Sequence, residues 1–241
     1  MVPFATLPAS TQYRCRQALN LYDSPALERL ATQAAASRYL RILAEPIRSP
    51  EHDREVVHVC LCEDDYPGWL PIEVLEQLTV AELPYQSQVV TATEIRTAIP
   101  RVIAYTQAAM AQPNHYLWGG TIPPNYDCSG LMQAAFASVG IWIPRDAYQQ
   151  EAFTQAIALA DLQPGDLIFF GSVNRTKATH VGLYLGEGRY IHSSGKDQGH
   201  NGIAIDHIED ETTAIGRAYW QQFRGAGRVV AAYQPQPELA F

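Results

Sequence analysis

The stretch HVGLYLGEGRYIHS, residues His180–Ser193, decides the fold of the second half of this 241-residue chain. Two apolar arms flank the glycine-rich segment Gly186-Glu187-Gly188, and this pattern predicts a β-hairpin. If those three residues form the loop, Leu185 lies opposite Arg189 at the end of the ladder. A two-residue loop would shift the register by one and reverse the face of every side chain on one arm.

The three-residue register places two histidines on one face. His192 then lies opposite Gly182, and His180 follows two residues further along the same face. Diagonal neighbours of this kind lie roughly 7–8 Å apart. The other face carries the apolar side chains expected of a core, namely Val181, Leu183, Leu185 and Ile191.

A cysteine stands where a helix is predicted to begin. Cys128 follows Asp127, apolar residues recur at helical spacing as far as Val139, and Gly140 is placed to end the helix. First-turn N–H groups and the helix dipole can lower a thiol pKa from ~8.5 into the range ~3.5–7.5. The sequence therefore predicts a reactive thiolate.

The cysteine and the two histidines together have the logic of a catalytic triad. His180 would act as the general base toward Cys128, and His192 would orient His180 through its other ring nitrogen. Alone, such a cysteine is usually a buried small hydrophobe and such a histidine a structural residue. The combination favours a Cys–His hydrolase or transferase.

The rest of the second half predicts an α+β domain, with helices first and antiparallel strands afterwards. A capping box, Thr91-x-x-Glu94, begins a long amphipathic helix that Pro113 ends. Leu167–Phe170 is predicted to be a strand ahead of the hairpin.

The first half predicts a small β-barrel, made from short extended runs between Gln12 and Leu83. Ala26–Ala36 is expected to form one or two helical turns, and Asp64–Trp69 an exposed loop. A polar linker after Leu83 gives the predicted domains, residues 1–84 and 85–241.

Composition limits the function. Lys and Arg number 17 and Asp and Glu 25, so the formal net charge of 17 − 25 = −8 disfavours nucleic-acid and membrane partners. The first eight residues do not resemble a secretory signal, and four scattered cysteines do not resemble a disulfide framework, so a cytoplasmic protein is expected. No cofactor is expected either. The run His58-x-Cys60-x-Cys62 lacks a fourth ligand and the usual zinc spacing, so no metal site is predicted.

Several ordered blocks resemble the NlpC-type bacterial cell-wall cysteine peptidases, and they span the chain from about Glu94 onward. The blocks are Tyr116-x-Trp118-Gly119-Gly120, Asp127-Cys128-Ser129-Gly130, Leu162–Leu167, His180–Gly186 and Ile191-His192-Ser193. The resemblance implies a circularly permuted papain-like fold with Cys128 as nucleophile, His180 as base and His192 as third member. It also implies that Tyr116 assists at the oxyanion position, together with the N–H of Cys128, and that Trp118 shapes the groove floor.

The first half resembles the bacterial SH3-like barrels that precede such domains. The whole chain is similar to γ-D-glutamyl-L-diamino acid endopeptidases, which cleave murein peptides that carry a free N-terminal L-Ala. That likeness implies a barrel that caps the substrate groove through Tyr66. It also implies that Asp127 receives the L-Ala ammonium, with Glu63, Asp64 or Asp65 adding charge. Candidates for the D-Glu carboxylate are Ser129 and the segment Pro144–Ala147. Ala147 stands where part of the family has serine, so Arg145 is either a charged substitute for the missing hydroxyl or a structural residue.

Three alternatives stay open at this point. A secreted hydrolase that acts on intact murein would need an export signal. A permuted-papain acyltransferase that acts on lipid would need a membrane-binding segment. A non-catalytic wall-binding module would not need the thiol and both histidines. The leading expectation is a monomeric, cytoplasmic peptidase that trims murein peptides for recycling or turnover.

Overall fold

A computed structural model describes residues 11–172, 174 and 176–236 of the chain. The eight residues on which the absence of a secretory signal was predicted lie outside this part. The chain divides into two compact units between Ser87 and Gln88, three residues after the predicted boundary. The segment that begins at Gln234 groups with the first unit, which the linear division did not foresee.

The first unit is an antiparallel sheet with the strand order β3-β2-β7-β6-β4-β1-β8, and β5 pairs with β6. Its strands are β1 (Gln12–Cys15), β2 (Leu19–Tyr22), β3 (Leu30–Ala34), β4 (Tyr39–Ile42), β5 (Ile47–Arg48), β6 (Glu55–Leu61), β7 (Pro67–Pro71) and β8 (Leu78–Val80), with a 3-10 helix over Ile72–Gln77 before β8. Alternate residues of the strands form one apolar core that includes Leu21, Leu40, Val57 and Leu70.

Two local expectations for the first unit are wrong. The segment predicted to contain helical turns holds β3, because Thr32 and Ala34 are buried at alternate positions, a period that suits a strand. The predicted exposed loop has one exposed residue, Pro67, and Asp64 is buried because it pairs with Arg38 inside the unit. The last three residues of that segment are the first three of β7.

The second unit combines helices with a six-stranded antiparallel sheet of order β11-β16-β12-β13-β14-β15. The helices are α1 (Ala92–Met110), α2 (Cys128–Ala137), α3 (Ala147–Phe153) and α4 (Ala214–Trp220). A short pair is formed by β9 (Thr121–Ile122) and β10 (Asn125–Tyr126), and the sheet strands are β11 (Gln155–Ile157), β12 (Leu167–Phe170), β13 (His180–Gly186), β14 (Arg189–Ser194), β15 (Gly202–His207) and β16 (Phe223–Arg228). Single 3-10 turns cover Leu159–Asp161 and Lys196–Gln198. The predicted α+β class is confirmed.

Both predicted helix starts are confirmed. Thr91 and Glu94 exchange the two hydrogen bonds of a capping box at the first residue of α1. Asp127 caps α2 by accepting from the N–H of Gly130 at 2.6 Å, so the helix begins at Cys128. Apolar faces of both helices cover one side of the sheet, with Val102, Leu131, Val181 and Ile191 in the same core.

The hairpin keeps the predicted register by a different route. Leu183 pairs with Ile191 and Tyr184 with Tyr190, as expected, but Arg189 pairs with Gly186 and not with Leu185. The turn is therefore the two-residue one, Glu187-Gly188, with positive φ at both positions. The register shift between Tyr184 and Gly186 adds one residue to that arm. This irregularity restores the face that the short turn would have reversed.

Among the described residues, no helix is both long and apolar enough to cross a bilayer.

Candidate active site

The nucleophile candidate lies at the junction of α2 and the sheet. Cys128 is 6% exposed, and its sulfur accepts hydrogen bonds from the N–H groups of Ser129 and Val181. Val181 follows His180 directly, so this contact places the thiol beside the first residue of β13. Ser193 Oγ donates to the carbonyl oxygen of Tyr126 at 2.7 Å, and this bond links β14 to the residues just before α2.

The predicted lowering of the thiol pKa is wrong. Burial and the neighbouring Asp127 carboxylate raise the pKa of Cys128 to about 12. The N–H groups of Ser129 and Val181 and the Arg145 guanidinium act in the opposite direction, but they do not offset burial. The resting nucleophile is therefore a protonated thiol, and it needs a base to become reactive.

The two histidines meet directly. His180 Nε2 lies 2.7 Å from His192 Nδ1, and the ring planes are nearly perpendicular. His192 Nε2 lies 3.0 Å from a carboxylate oxygen of Asp206 in β15. His180, His192 and Asp206 thus form a continuous hydrogen-bonded series, which we call the relay.

Asp206 fixes which nitrogens of the relay carry protons. A carboxylate only accepts, so His192 must hold its proton on Nε2 and present a lone pair at Nδ1. His180 then donates from Nε2 to that lone pair. The remaining nitrogen of His180, Nδ1, is left as the lone pair that can take the proton of Cys128.

Burial keeps both imidazoles neutral. Desolvation, reinforced by the charge of His192, holds the pKa of His180 well below its usual value. Desolvation also lowers the pKa of His192, against the hydrogen bond and charge of Asp206. Burial tends to raise the pKa of Asp206, but its bonds to His192 and His200 outweigh it, so the pKa is lowered and the carboxylate is charged.

Asp206 was not predicted from the sequence. Its signal is the alternating run Ile203-Ala204-Ile205-Asp206-His207, which predicts a strand after the hairpin. In that strand Ala204 pairs with His192, and Asp206 points to the same face two residues later. His200 lies in the loop before β15, with Nε2 2.9 Å from an Asp206 oxygen.

Tyr219 in α4 closes the far side of the relay. The centroid of its ring lies 5.0 Å from the centroids of both His180 and His192. The ring lies edge-on to His192 and is tilted against His180. This contact holds both imidazoles between α4 and the sheet.

The carboxylate beside the nucleophile is engaged inside the protein. Asp127 accepts two bonds from the guanidinium of Arg145, at 2.6 and 3.1 Å, and another from the N–H of Gly119 at 2.9 Å. Arg145 is 1% exposed and also donates to Ser129 Oγ at 3.0 Å. The charges of Asp127 and Arg145 offset each other, so their predicted roles toward an ammonium and a carboxylate stay predictions. Ala147, the position without the serine hydroxyl, is the first residue of α3.

Two aromatic site candidates, Tyr116 and Trp118, precede the nucleophile in the sequence. Tyr116 forms a bridge to Tyr126, and burial together with the charge of Cys128 raises the pKa of its hydroxyl, so it remains a donor. Trp118 is 55% exposed. Their predicted roles at the oxyanion and the groove floor are compatible with these positions.

The site candidates in the first unit differ in how deeply they are buried. Glu63 accepts from Arg38 at 3.2 Å and from the N–H of Tyr39 at 2.7 Å. Burial nonetheless raises the pKa of Glu63. Tyr66 stands just before β7, and Asp65 pairs with Arg41. Their predicted roles as cap and ammonium ligands stay predictions.

Comparison with known proteins now adds to this geometry. The NlpC/P60 family matches residues 113–225, and the bacterial dipeptidyl-peptidase SH3 domain matches residues 21–75. The second unit carries an NlpC/P60 domain. The predicted order, an SH3-like domain followed by a papain-like peptidase domain, is thereby confirmed. The matched range contains Cys128, His180, His192 and Asp206.

Relatives of the NlpC/P60 domain carry the names of endopeptidases and hydrolases. A bifunctional muramidase/DL-endopeptidase of Bacillus subtilis is 39% identical over 104 residues, 42% of this chain and 32% of its own. A gamma-DL-glutamyl hydrolase of the same organism is 33% identical over 108 residues, 44% of this chain and 24% of its own. A solved NlpC/P60 family protein from Bacillus cereus covers 94% of this chain and 66% of its own, at 23% identity and a TM-score of 0.48. The chain thus spans about a third or less of the curated relatives it matches.

Proposed function

We propose that the NlpC/P60 domain is a cysteine peptidase that hydrolyses the bond between γ-D-Glu and a diamino acid in murein peptides. The observation that carries this proposal is the relay, which ends in a basic nitrogen of His180 beside a buried thiol. The name of one Bacillus subtilis relative, a gamma-DL-glutamyl hydrolase, supports hydrolysis at a glutamyl residue, and the name of the other, a DL-endopeptidase, supports cleavage of a peptide.

The reaction follows from the protonation states. His180 Nδ1 takes the proton of Cys128 as the sulfur bonds to the carbonyl carbon, and the carbonyl oxygen becomes an oxyanion. The first-turn N–H of Cys128 and the Tyr116 hydroxyl donate to that oxygen. The imidazolium then protonates the leaving amine and the C–N bond breaks. A water, deprotonated by His180, attacks the thioester and releases the acid and the thiol.

Charge supports a substrate with a free amino terminus. The amine of L-Ala is an ammonium at neutral pH, and an ammonium removed from water needs a carboxylate partner. Asp127 and the Glu63–Asp64 pair are the candidates, each already balanced by one arginine. We propose that Ser129 and Arg145 receive the D-Glu carboxylate, and that Tyr66 contributes to the cap. The chain would act as a monomer on free peptides.

We also propose a cytoplasmic role in recycling of murein peptides. The support is the set of four cysteines, all free thiols in the structure, which suits a reducing compartment. Fractionation of cells, followed by detection of the protein, tests this location. Recovery from the periplasm with activity on intact murein would favour the secreted hydrolase instead.

The sharpest test of the activity uses L-Ala-γ-D-Glu-diaminopimelate and its N-acetylated form. We expect cleavage of the free peptide, strongly reduced cleavage of the acetylated one, and no cleavage by Cys128→Ala. Cys60→Ala is the matched control, since that thiol is also buried but lies in the first unit. Equal cleavage of both peptides would contradict the preference for a free amine. Full activity in Cys128→Ala would contradict the nucleophile.

A further inference from the structure

Three metal-binding side chains converge at the outer end of the relay. The ligating atoms of His192, His200 and Asp206 all lie within 4.8 Å of one another. In the described ranges, 11–172, 174 and 176–236, no second group of three or more His, Cys, Asp or Glu residues meets this condition. The first two residues direct Nε2 at the same Asp206 oxygen, from 3.0 and 2.9 Å.

Two imidazoles and a carboxylate suit zinc. Zn²⁺ accepts three protein ligands of this kind and keeps a fourth, open position for water, with Zn–N distances of about 2.0–2.1 Å. Neighbouring ligands around a tetrahedral zinc then lie about 3.3 Å apart. The two nitrogen-to-oxygen distances, 3.0 and 2.9 Å, are near that value, and a rearrangement of His200 and the carboxylate would admit the ion. His200 is 24% exposed in its side chain and Asp206 15%, so the ion has a route from solvent, whereas His192 is fully buried.

We propose that His192, His200 and Asp206 form an inhibitory zinc site that switches off the relay. The proposal of a metal site is independent of catalysis, but inhibition rests on the proposed peptidase function. A nitrogen that binds zinc cannot carry a proton, so the proton of His192 must move from Nε2 to Nδ1. His192 changes from acceptor to donor toward His180.

The proton rearrangement extends from His192 to His180, and each imidazole still carries one proton afterwards. His180 must now accept at Nε2, and its own proton moves to Nδ1. The nitrogen that faces Cys128 becomes an N–H donor and can no longer take the thiol proton. His200 likewise keeps one proton, on its outer nitrogen. Zinc therefore replaces the hydrogen bond between His192 and Asp206, reverses the one between His192 and His180, and removes the general base.

The binding experiment separates this site from the nucleophile. Full-length protein with Cys128→Ala is titrated with ZnCl₂ by calorimetry, and with CoCl₂ while the visible spectrum is recorded. We expect one ion per chain and a tetrahedral cobalt spectrum without sulfur-to-cobalt charge transfer. His200→Gln keeps an N–H that can donate to Asp206 and lacks the imidazole. A residue that only hydrogen-bonds a metal ligand is worth about 10- to 100-fold in metal affinity. We therefore expect that adding His200→Gln to Cys128→Ala weakens zinc binding at least about tenfold.

The activity experiment tests the switch. In the enzyme that keeps Cys128, ZnCl₂ should inhibit peptide cleavage and a chelator should reverse the inhibition. The His200→Gln variant should require at least about tenfold more zinc for the same inhibition. Equal zinc affinity with and without His200→Gln would overturn the site, as would loss of binding in Cys128→Ala. Binding without inhibition would overturn the switch alone. If no peptide is cleaved at all, the peptidase proposal fails while calorimetry still decides the metal site.

Discussion

At the residue scale, Cys128 and His180 form a pair in which both partners are uncharged. Burial raises the pKa of the thiol and lowers that of the imidazole, so both shifts favour the uncharged form of the group. A buried ion pair would need compensation for two desolvated charges. The neutral pair avoids this cost and generates the thiolate only during attack.

This neutral pair predicts how the free enzyme reacts with iodoacetamide. With a thiol pKa of about 12, the thiolate fraction of Cys128 should rise about tenfold per pH unit between pH 6 and 9. The alkylation rate should follow it, because only the thiolate reacts. Mass spectrometry of the modified peptide measures the rate, and Cys128→Ala gives the background from the other thiols. A rate that is already constant between pH 6 and 8 would indicate a thiolate–imidazolium pair.

Asp206 gives a second prediction at this scale. In Asp206→Asn the amide can donate to His192 Nε2, which favours the wrong tautomer along the whole relay. We expect kcat to fall by about 10²–10⁴ and KM to change little, since a comparable change of tautomer in a serine-protease triad has that order of effect. Steady-state kinetics and a thermal unfolding curve separate a catalytic effect from misfolding.

His207→Asn is a matched control for Asp206→Asn. His207 ends the same strand and is exposed, with its ring bonded to the carbonyl of Ile208. We expect kcat of this variant to stay within about twofold. If Asp206→Asn also keeps its kcat, then Asp206 does not set the protonation of the relay.

At the element scale, the β13–β14 hairpin positions its two histidines through a glycine, Gly182, which has no side chain. A Cβ at Gly182 would lie 2.8 Å from the Tyr190 ring, 3.1 Å from the Ile191 carbonyl and 3.3 Å from His192 Cβ. Gly182 lies between His180 and His192 on the same face. Its missing side chain is therefore what allows the two rings to meet.

Gly182→Ala should displace His192 and lengthen the 2.7 Å contact between the imidazoles. We expect kcat to fall at least tenfold while the protein still folds, because one methyl group is added at the edge of a packed core. Peptide cleavage gives kcat, and the NMR resonance of the shared imidazole proton reports on the hydrogen bond. An unchanged resonance together with full activity would contradict this role for Gly182.

At the scale of the whole molecule, local patterns in the sequence predicted elements better than partners. The capping box, the start of α2 and the facing histidines were all predicted, because each depends on residues close in the chain. Asp206 and Arg145 were not given their partners, because their contacts join segments 14 and 18 residues apart. The thiol pKa was mispredicted for the same reason. Burial depends on the whole core, and the sequence pattern near Cys128 shows only the helix start.

Each unit also holds its own buried ion pair and its own apolar core. Arg38 pairs with Glu63 and Asp64 in the first unit, and Arg145 pairs with Asp127 in the second. The two main cores share no residue. Removal of one partner from a buried pair leaves an uncompensated charge and typically costs about 3–5 kcal/mol.

We therefore predict two separable unfolding transitions for the full chain. Arg38→Met should lower the midpoint of one transition and Arg145→Met that of the other, each by several degrees or more, since each change destabilises a different core. Differential scanning calorimetry measures both midpoints. Residual peptide cleavage below each midpoint shows which transition belongs to the NlpC/P60 domain. Arg96→Met, on the exposed side of α1, is the control and should move neither midpoint by more than about 1–2 °C, because a surface substitution of this kind is usually worth within ±0.5 kcal/mol. If both buried-pair variants shift one common transition, the two cores melt as a single cooperative unit.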